Sequence, residues 1–433
     1  MNDKKKFGLF SIVLLGINGV IGSGIFLLPG NAMKIMGPGS LWAYVFDMFL
    51  VLSMALCFAE TAGMFEKNGG PYIYAKEAFG NFVGFEVGIM KWAISIIAWA
   101  TMAVAFATAL SAIWPQAAVG ATKNIVAVSI LVGLGIINIL GVQIAKYMNN
   151  IITVGKLIPL ILFAAIGIFF IKGSNFTPIF PHGASGSTFG AAAILIFYAF
   201  TGFESIAVAA EDMEKPQKNI PIAIIITMCL ASVIYIMTQA VAIGTLGPNL
   251  AKSVTPVADS AKTFLGSFGG TLVTAGTLIS IGGINIAASF ITPRSGVALA
   301  ENGLMPNIIA KNSRFGTPYI SIIITVVLAS LIALTGSFTQ LAAISVVSRF
   351  AQYIPTCLAV IVLRKKRPDL KSTFRVPFGP VLPTLSVLAS IWLLSKATKI
   401  QIIWGLGALL IGVPLYFIMK HLDSNKINKT QTM

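Results

Sequence analysis

Charge is scarce in this chain: only 10% of its 433 residues are Asp, Glu, Lys or Arg, while 56% are hydrophobic. A water-soluble protein of that length cannot keep so apolar a surface in solution, which excludes an ordinary globular enzyme. Acidic residues are scarcer still, 14 against 30 basic, and histidine is reduced to His182 and His421. Neither histidine lies in an apolar run. An intramembrane Ser–His or His–Asp pair therefore lacks its parts, and no metal-ligand spacing is present, so neither catalysis nor a metal or cofactor is expected. The three cysteines, Cys57, Cys229 and Cys357, all fall in apolar runs. They are expected as small buried hydrophobes, with no disulfide framework. Long polar stretches are missing too, which leaves no room for a separate soluble domain.

What fills the chain is apolar sequence. About twelve runs approach the length a helix needs to cross roughly 30 Å of hydrocarbon. They begin near Leu9, Leu41, Phe82, Ile125, Ile151, Phe189, Ile222, Leu272, Tyr319, Leu341, Val381 and Ile400. The expected fold is an all-α polytopic membrane protein. The opening "MNDKKKFGLFSIVLLG" has signal-peptide character, but hydrophobicity continues without a cleavage pattern, so it reads as the first membrane helix.

With twelve crossings and an inside amino terminus, 20 of the 30 basic residues fall on the cytoplasmic side. These include Lys4–Lys6, Lys215, Lys218, the run Arg364–Arg367 and Lys420; Lys34, Lys123, Lys172, Lys252, Lys262, Lys396 and Lys399 fall outside. That asymmetry is the positive-inside pattern. The net charge of +16 thus reports topology, and no nucleic-acid partner is expected. Lys91, Lys156 and Arg349 lie within spans, with Glu86, Asp47 and Glu60 as possible counterions. Buried pairs acting as structural latches are the expected role of Lys91 and Arg349. The basic loop "RKKRPDLK" reads as a topology determinant at the lipid headgroups.

Two spans carry interruptions. Span 1 contains "GINGVIGSGIF", with Gly16, Gly19, Gly22 and Gly24 within nine residues, and span 6 contains "FYAFTGFES", where Gly202 precedes Glu204. Span 6 opens a second group of five if residues 9–172 and 188–363 are equivalent halves, inverted because each holds an odd number of spans. Breaks at matching places in two halves point to a transporter site near the midplane. Residues 380–419 would form spans 11 and 12, with cytoplasmic termini at 1–8 and 420–433.

The segments "GVIGSGIFLLPG", "NGGPYIYAKEAFG", "FYAFTGFES" followed by "PQKNIPIAI", and "GLMPNIIAKNSRFGTP" resemble the amino acid permeases of the amino acid–polyamine–organocation superfamily. The resemblance runs the length of the chain in order. It implies a LeuT-type fold of two inverted five-helix repeats, with discontinuous helices 1 and 6, plus two further helices. It also implies a free amino acid as substrate, in a bacterial cytoplasmic membrane.

An amino acid brings a carboxylate and an ammonium, both costly to bury without partners. The half-helix beginning near Gly24 offers unpaired N–H groups and a positive dipole end, so Gly22, Ser23 and Gly24 are assigned to the carboxylate. The carbonyls of Val20 and Thr201, beside Gly19 and Gly202, are assigned to the ammonium. The competing reading is that these glycines only permit close helix packing. Tyr198, one turn before the second break, matches an aromatic gate position of similar permeases; packing is its alternative role. Glu204 is a candidate gate latch or proton relay, since an acid near the midplane is costly, although a carboxylate at a helix start is also stabilising.

Lys156 lies roughly 9 Å inside span 5 by the helical rise, where a base costs on the order of 2.5–3.5 kcal/mol to insert. The resemblance implies that its ammonium stands where sodium-coupled relatives bind sodium, bridging carbonyls near Gly19 to span 8. It is then either a proton carrier or a fixed substitute for an ion. The resemblance also turns Trp99, Met102 and Ile284 toward the substrate side chain, an apolar lining that favours a neutral amino acid. The expected activity is secondary transport of neutral L-amino acids by alternating access, with protons as coupling ion. An obligate exchanger of amino acids or amines on the same fold is the alternative.

Overall fold

A computed structural model describes residues 7–65, 70–141, 146–181, 183, 185–206, 213–370 and 372–431. The side chains of 146–151, 154 and 422–431 lie outside that description, as do the predicted positions Lys4–Lys6 and His182. The chain is helical throughout, with no β-strand among the described residues beyond a single bridge between Phe7 and Met213. In hydrocarbon each backbone amide must be satisfied within its own segment, and the helix does this from local sequence alone.

Span 1 is divided into α1 (Leu9–Val20), α2 (Ser23–Leu27) and α3 (Pro29–Met36). There follow α4 (Ser40–Met64), a short α5 (Pro71–Phe79), α6 (Asn81–Leu110), α7 (Gly120–Ile139) and α8 (Lys146–Gly167). The second half holds α9 (Gly186–Phe197), α10 (Pro216–Leu246), α11 (Pro256–Glu301), α12 (Tyr319–Leu334) and α13 (Phe338–Lys366), and the chain closes with α14 (Val381–Lys396) and α15 (Lys399–Gln431). Among the described residues eight stretches are long and apolar enough to cross a bilayer. Four shorter apolar helices, Leu9–Val20, Gly155–Phe170, Tyr319–Leu334 and Val381–Lys396, occupy the remaining expected places, consistent with twelve spans.

Local chemistry sets several boundaries. Ser185 caps α9 by accepting from the Thr188 amide at 3.1 Å, and Ser337 with Gln340 forms a capping box on α13. Span 8 starts earlier than its apolar run, because α11 begins at Pro256 and is broken at Gly266, whose φ of +63° suits only glycine.

The packing pairs obey an exchange of halves. α1 lies on α10, and its counterpart α9 lies on α4. α8 lies on α11, and its counterpart α13 lies on α6. α8 also touches α10 as α13 touches α4, while α4–α10, α6–α11 and α7–α12 map onto themselves. Two equivalent five-span units require this pattern. α14 and α15 pack outside, on α13, with Leu385, Leu388, Ile403, Leu410 and Ile411 exposed as a lipid-facing surface would be. Cys57 and Cys357 are buried as expected, but Cys229 is exposed, on the same outward side of α10 as Ile226 and Val233.

Candidate functional site

At the first break α1 ends at Val20, Ile21 is extended and helical geometry resumes at Ser23. The carbonyls that end a helix lack intrahelical donors. Here neighbouring helices supply them. Lys156 of α8, wholly buried, donates from Nζ to the Asn18 carbonyl at 2.7 Å and to the Ile21 carbonyl at 2.6 Å. Tyr235 of α10 donates its hydroxyl to the Val20 carbonyl at 2.9 Å. Both of these acceptors belong to span 1, and the contact with span 8 expected of Lys156 is not among its hydrogen bonds. Val20, expected to face an ammonium, already spends one lone pair on Tyr235.

On the other side of the break, side chains from three other spans converge on Gly22 and Ser23. A Cβ placed on Gly22 would come within 3.0 Å of Ile284 Cδ1 and 3.1 Å of Met102 Cε. Ser23 Oγ lies 3.3 Å from the Tyr198 hydroxyl and 3.4 Å from Met102 Sδ. Gly22, Ser23, Met102, Tyr198 and Ile284 therefore meet at one point. Asn285, next to Ile284, steadies the lining by donating to the Met102 and Ile281 carbonyls, each at 3.0 Å. Trp99, a turn before Met102, is fully buried, and its indole N–H has no hydrogen-bond partner among the described residues. Gly24 lies against the backbone of Ala199, where any side chain would collide.

The second break is built differently. A 3₁₀ turn over Tyr198–Phe200 ends α9, Thr201 is extended, and Gly202 takes a φ of +113°. Thr201 closes the turn by donating its hydroxyl to the Tyr198 carbonyl at 2.8 Å. A Cβ on Gly202 would strike the Gly19 carbonyl, and one on Gly19 would meet Ser205 Oγ at 3.0 Å. The two breaks are thus in backbone contact, which requires glycine at 202 and is tight at Gly19. Glu204 accepts from the Gly202 amide at 2.9 Å and from the Tyr353 hydroxyl at 2.9 Å, and it pairs with Arg349.

These pairings correct the expected counterions. Arg349 takes Glu204 rather than Glu86, Asp47 or Glu60. Glu60 instead receives Arg364 through two hydrogen bonds of 2.7 and 2.6 Å, together with the Val376 amide at 2.6 Å. One arginine of the basic loop therefore has a specific structural partner in addition to any role in topology. The reason lies in span order: α13 packs on both α9 and α4, so its two arginines meet acids from different segments. Tyr235, Tyr353 and Asn285 were missed in sequence because single polar residues in apolar helices have no distinguishing spacing. Among the described residues there is no group of His, Cys, Asp and Glu able to hold a metal ion.

The sequence of residues 7–419 matches the amino acid permease family along this whole architecture. The chain belongs to that family. The permease is 28% identical over 447 residues to the branched-chain amino acid permease BcaP of Bacillus subtilis, an alignment covering 98% of this chain and 95% of the relative. It is 29% identical over 445 residues to the methylthioribose transporter of the same organism, covering 98% and 95%. To the serine/threonine exchanger SteT of B. subtilis it is 29% identical over 431 residues, covering 96% and 97%. The permease is accordingly a multi-pass membrane protein of a transporter family.

Proposed function

We propose that this permease moves neutral L-amino acids across the cytoplasmic membrane by alternating access, driven by protons. The carrying observation is the meeting of two interrupted spans beside the cluster of Gly22, Ser23, Met102, Tyr198 and Ile284, with no charged side chain among those five. An α-carboxylate would rest on the amides of Gly22, Ser23 and Gly24 at the positive end of α2. An α-ammonium would take the free lone pairs of the Val20 and Thr201 carbonyls. The apolar wall of Met102 and Ile284, backed by Trp99, favours an uncharged side chain. Tyr198, hydrogen-bonded to Ser23, acts as the gate over this cluster. Glu204, latched to Arg349 and Tyr353, locks span 6, while Lys156 supplies the positive charge that a bound cation would otherwise bring beside Gly19. In this reading 9–172 and 188–363 are the moving repeats and both termini are cytoplasmic.

Exchange without a proton requirement is the second reading, favoured by the full engagement of Lys156 with two carbonyls. Proteoliposomes distinguish them. An inward proton gradient across vesicles with an empty lumen should drive accumulation of a labelled neutral amino acid. Uptake confined to vesicles preloaded with unlabelled amino acid at equal pH would replace symport with exchange.

A further inference from the structure

Once Arg349 and Arg364 are matched to Glu204 and Glu60, two buried acids are left over: Glu86 of α6, which lies against Gly412 of the outer helix α15, and Asp47 at the α4–α10 interface. Asp47 of α4 is wholly buried, and neither carboxylate oxygen has a hydrogen-bond partner among the described residues. An ionised carboxylate in that state carries a desolvation cost with nothing opposing it, which a neutral carboxylic acid avoids.

The position of Asp47 is specific. On α4 it shares one face with Ser40, Tyr44, Val51 and Phe58, as helical spacing requires. That face looks onto α10 and the broken part of span 6. Ser40 accepts from Gln239 of α10 at 3.0 Å, the Tyr44 ring lies 6.4 Å from Phe200, and Phe58 packs on Phe203 at 5.3 Å. Phe200 in turn packs on Tyr235 at 5.0 Å, and Tyr235 holds the Val20 carbonyl. One continuous layer of packed side chains therefore joins the Asp47 face to the carbonyl edge of the first break.

The titratable neighbours on every packed helix are accounted for. Tyr44 shares the face, Tyr235 comes from α10 and Tyr198 from the turn after α9. On α13, Arg349, Tyr353 and Arg364 are engaged with Glu204 and Glu60. Lys396 of α14 lies 5.9 Å from the Trp392 ring, on the side of α4 served by Phe46. Lys34 of α3, Lys218 of α10 and Lys365 and Lys366 of α13 sit in the end turns of their helices.

We propose that Asp47 is a second proton-binding site of this permease, a carboxyl that takes up a proton in one orientation of the bundle and releases it in the other. The proton binds a carboxylate oxygen to form the neutral acid, the only form the closed α4–α10 interface accommodates. Its loss to water on the opposite side leaves a carboxylate that forces the interface apart, and Tyr235 transmits the movement to the Val20 carbonyl. This rests on the proton-driven reading above and differs from it in locating a proton on α4 rather than on Lys156.

The test pairs a spectroscopic measurement with a transport one. Infrared difference spectra of the purified permease in lipid, wild type minus Asp47→Asn, should contain the carbonyl stretch of a protonated carboxylic acid at neutral pH, sensitive to deuterium exchange. Absence of that band overturns the proposal even if no proton-driven transport is found. In proteoliposomes a one-unit pH gradient supports at most about tenfold accumulation per proton coupled. Asp47→Asn, which mimics the neutral acid, should lose that accumulation while amino acid counterflow at equal pH persists. Wild-type accumulation by Asp47→Asn, or its loss in Glu86→Gln alone, would overturn the assignment. Absence of gradient-driven accumulation in wild type with the infrared band present would reject symport but uphold Asp47 as the site where a proton resides.

Discussion

The two interruptions occupy equivalent places in the two halves, yet they are braced by opposite strategies. At the first, a cation from the fifth span, Lys156, binds backbone carbonyls directly. At the second, a cation from the tenth span, Arg349, binds a carboxylate that in turn accepts from the Gly202 amide. The exchange of halves carries α8 onto α13, so the two cations arise from corresponding helices. The difference is one of charge. At the first break the amine is shared among carbonyl dipoles with no acid beside it among the described residues, as the carboxylate site proposed there would require. The second is electrically closed, its carboxylate matched by one guanidinium.

The largest expected effect follows from opening the closed break. Arg349→Ala leaves Glu204 buried without its counterion, and removal of one partner from a buried pair costs about 3–5 kcal/mol. Thermal unfolding in detergent should detect it, and Glu204→Gln in the same background should recover much of the loss. Lack of recovery would mean that the arginine acts by packing alone. Next comes Lys156→Ala at the first break. Two hydrogen bonds to a charged group, each worth roughly 1.5–3 kcal/mol, are lost. Uptake should fall by at least about a hundredfold, since each 1.4 kcal/mol is tenfold, while membrane insertion continues. Near-normal uptake would end the comparison between the two cations.

Gly202→Ala tests the contact between the breaks. Its positive φ and its collision with Gly19 predict a cost of about 1–3 kcal/mol, read as a lower unfolding temperature together with slower transport. Tyr235→Phe should be milder, at about 1 kcal/mol for one neutral hydrogen bond, with a rise in KM because the Val20 carbonyl loses its anchor. The smallest effect belongs to the exposed pair Arg367–Asp369, where hydrogen bonds from the guanidinium hold the Asp369 carboxyl below the ordinary carboxylate range. A depressed carboxyl contributes at neutral pH and loses its contribution as pH falls through its lowered value. Exposure to solvent screens it, so acid titration of Asp369→Asn and wild-type unfolding should be indistinguishable.

Sequence determined the helical class, the places of the twelve expected spans and both interruptions, because hydrocarbon allows so few backbone solutions and glycine marks where they fail; Met102, Tyr198 and Ile284 beside Gly22 were legible only through the resemblance to permeases. Membership of the amino acid permease family was equally legible in the motifs of spans 1 and 6 and of the segments that follow spans 2, 6 and 8. It could not determine which charges pair. Glu60 and Arg364, or Glu204 and Arg349, are separated by well over a hundred positions, and an apolar helix gives no periodic hint of the face its one polar residue takes. Nor did it reveal that Tyr235 already holds the Val20 carbonyl, or that Asp47 is left without a partner. Those outcomes depend on which helices touch, and that is decided by shape complementarity among small residues, a property of the assembled bundle rather than of any one segment.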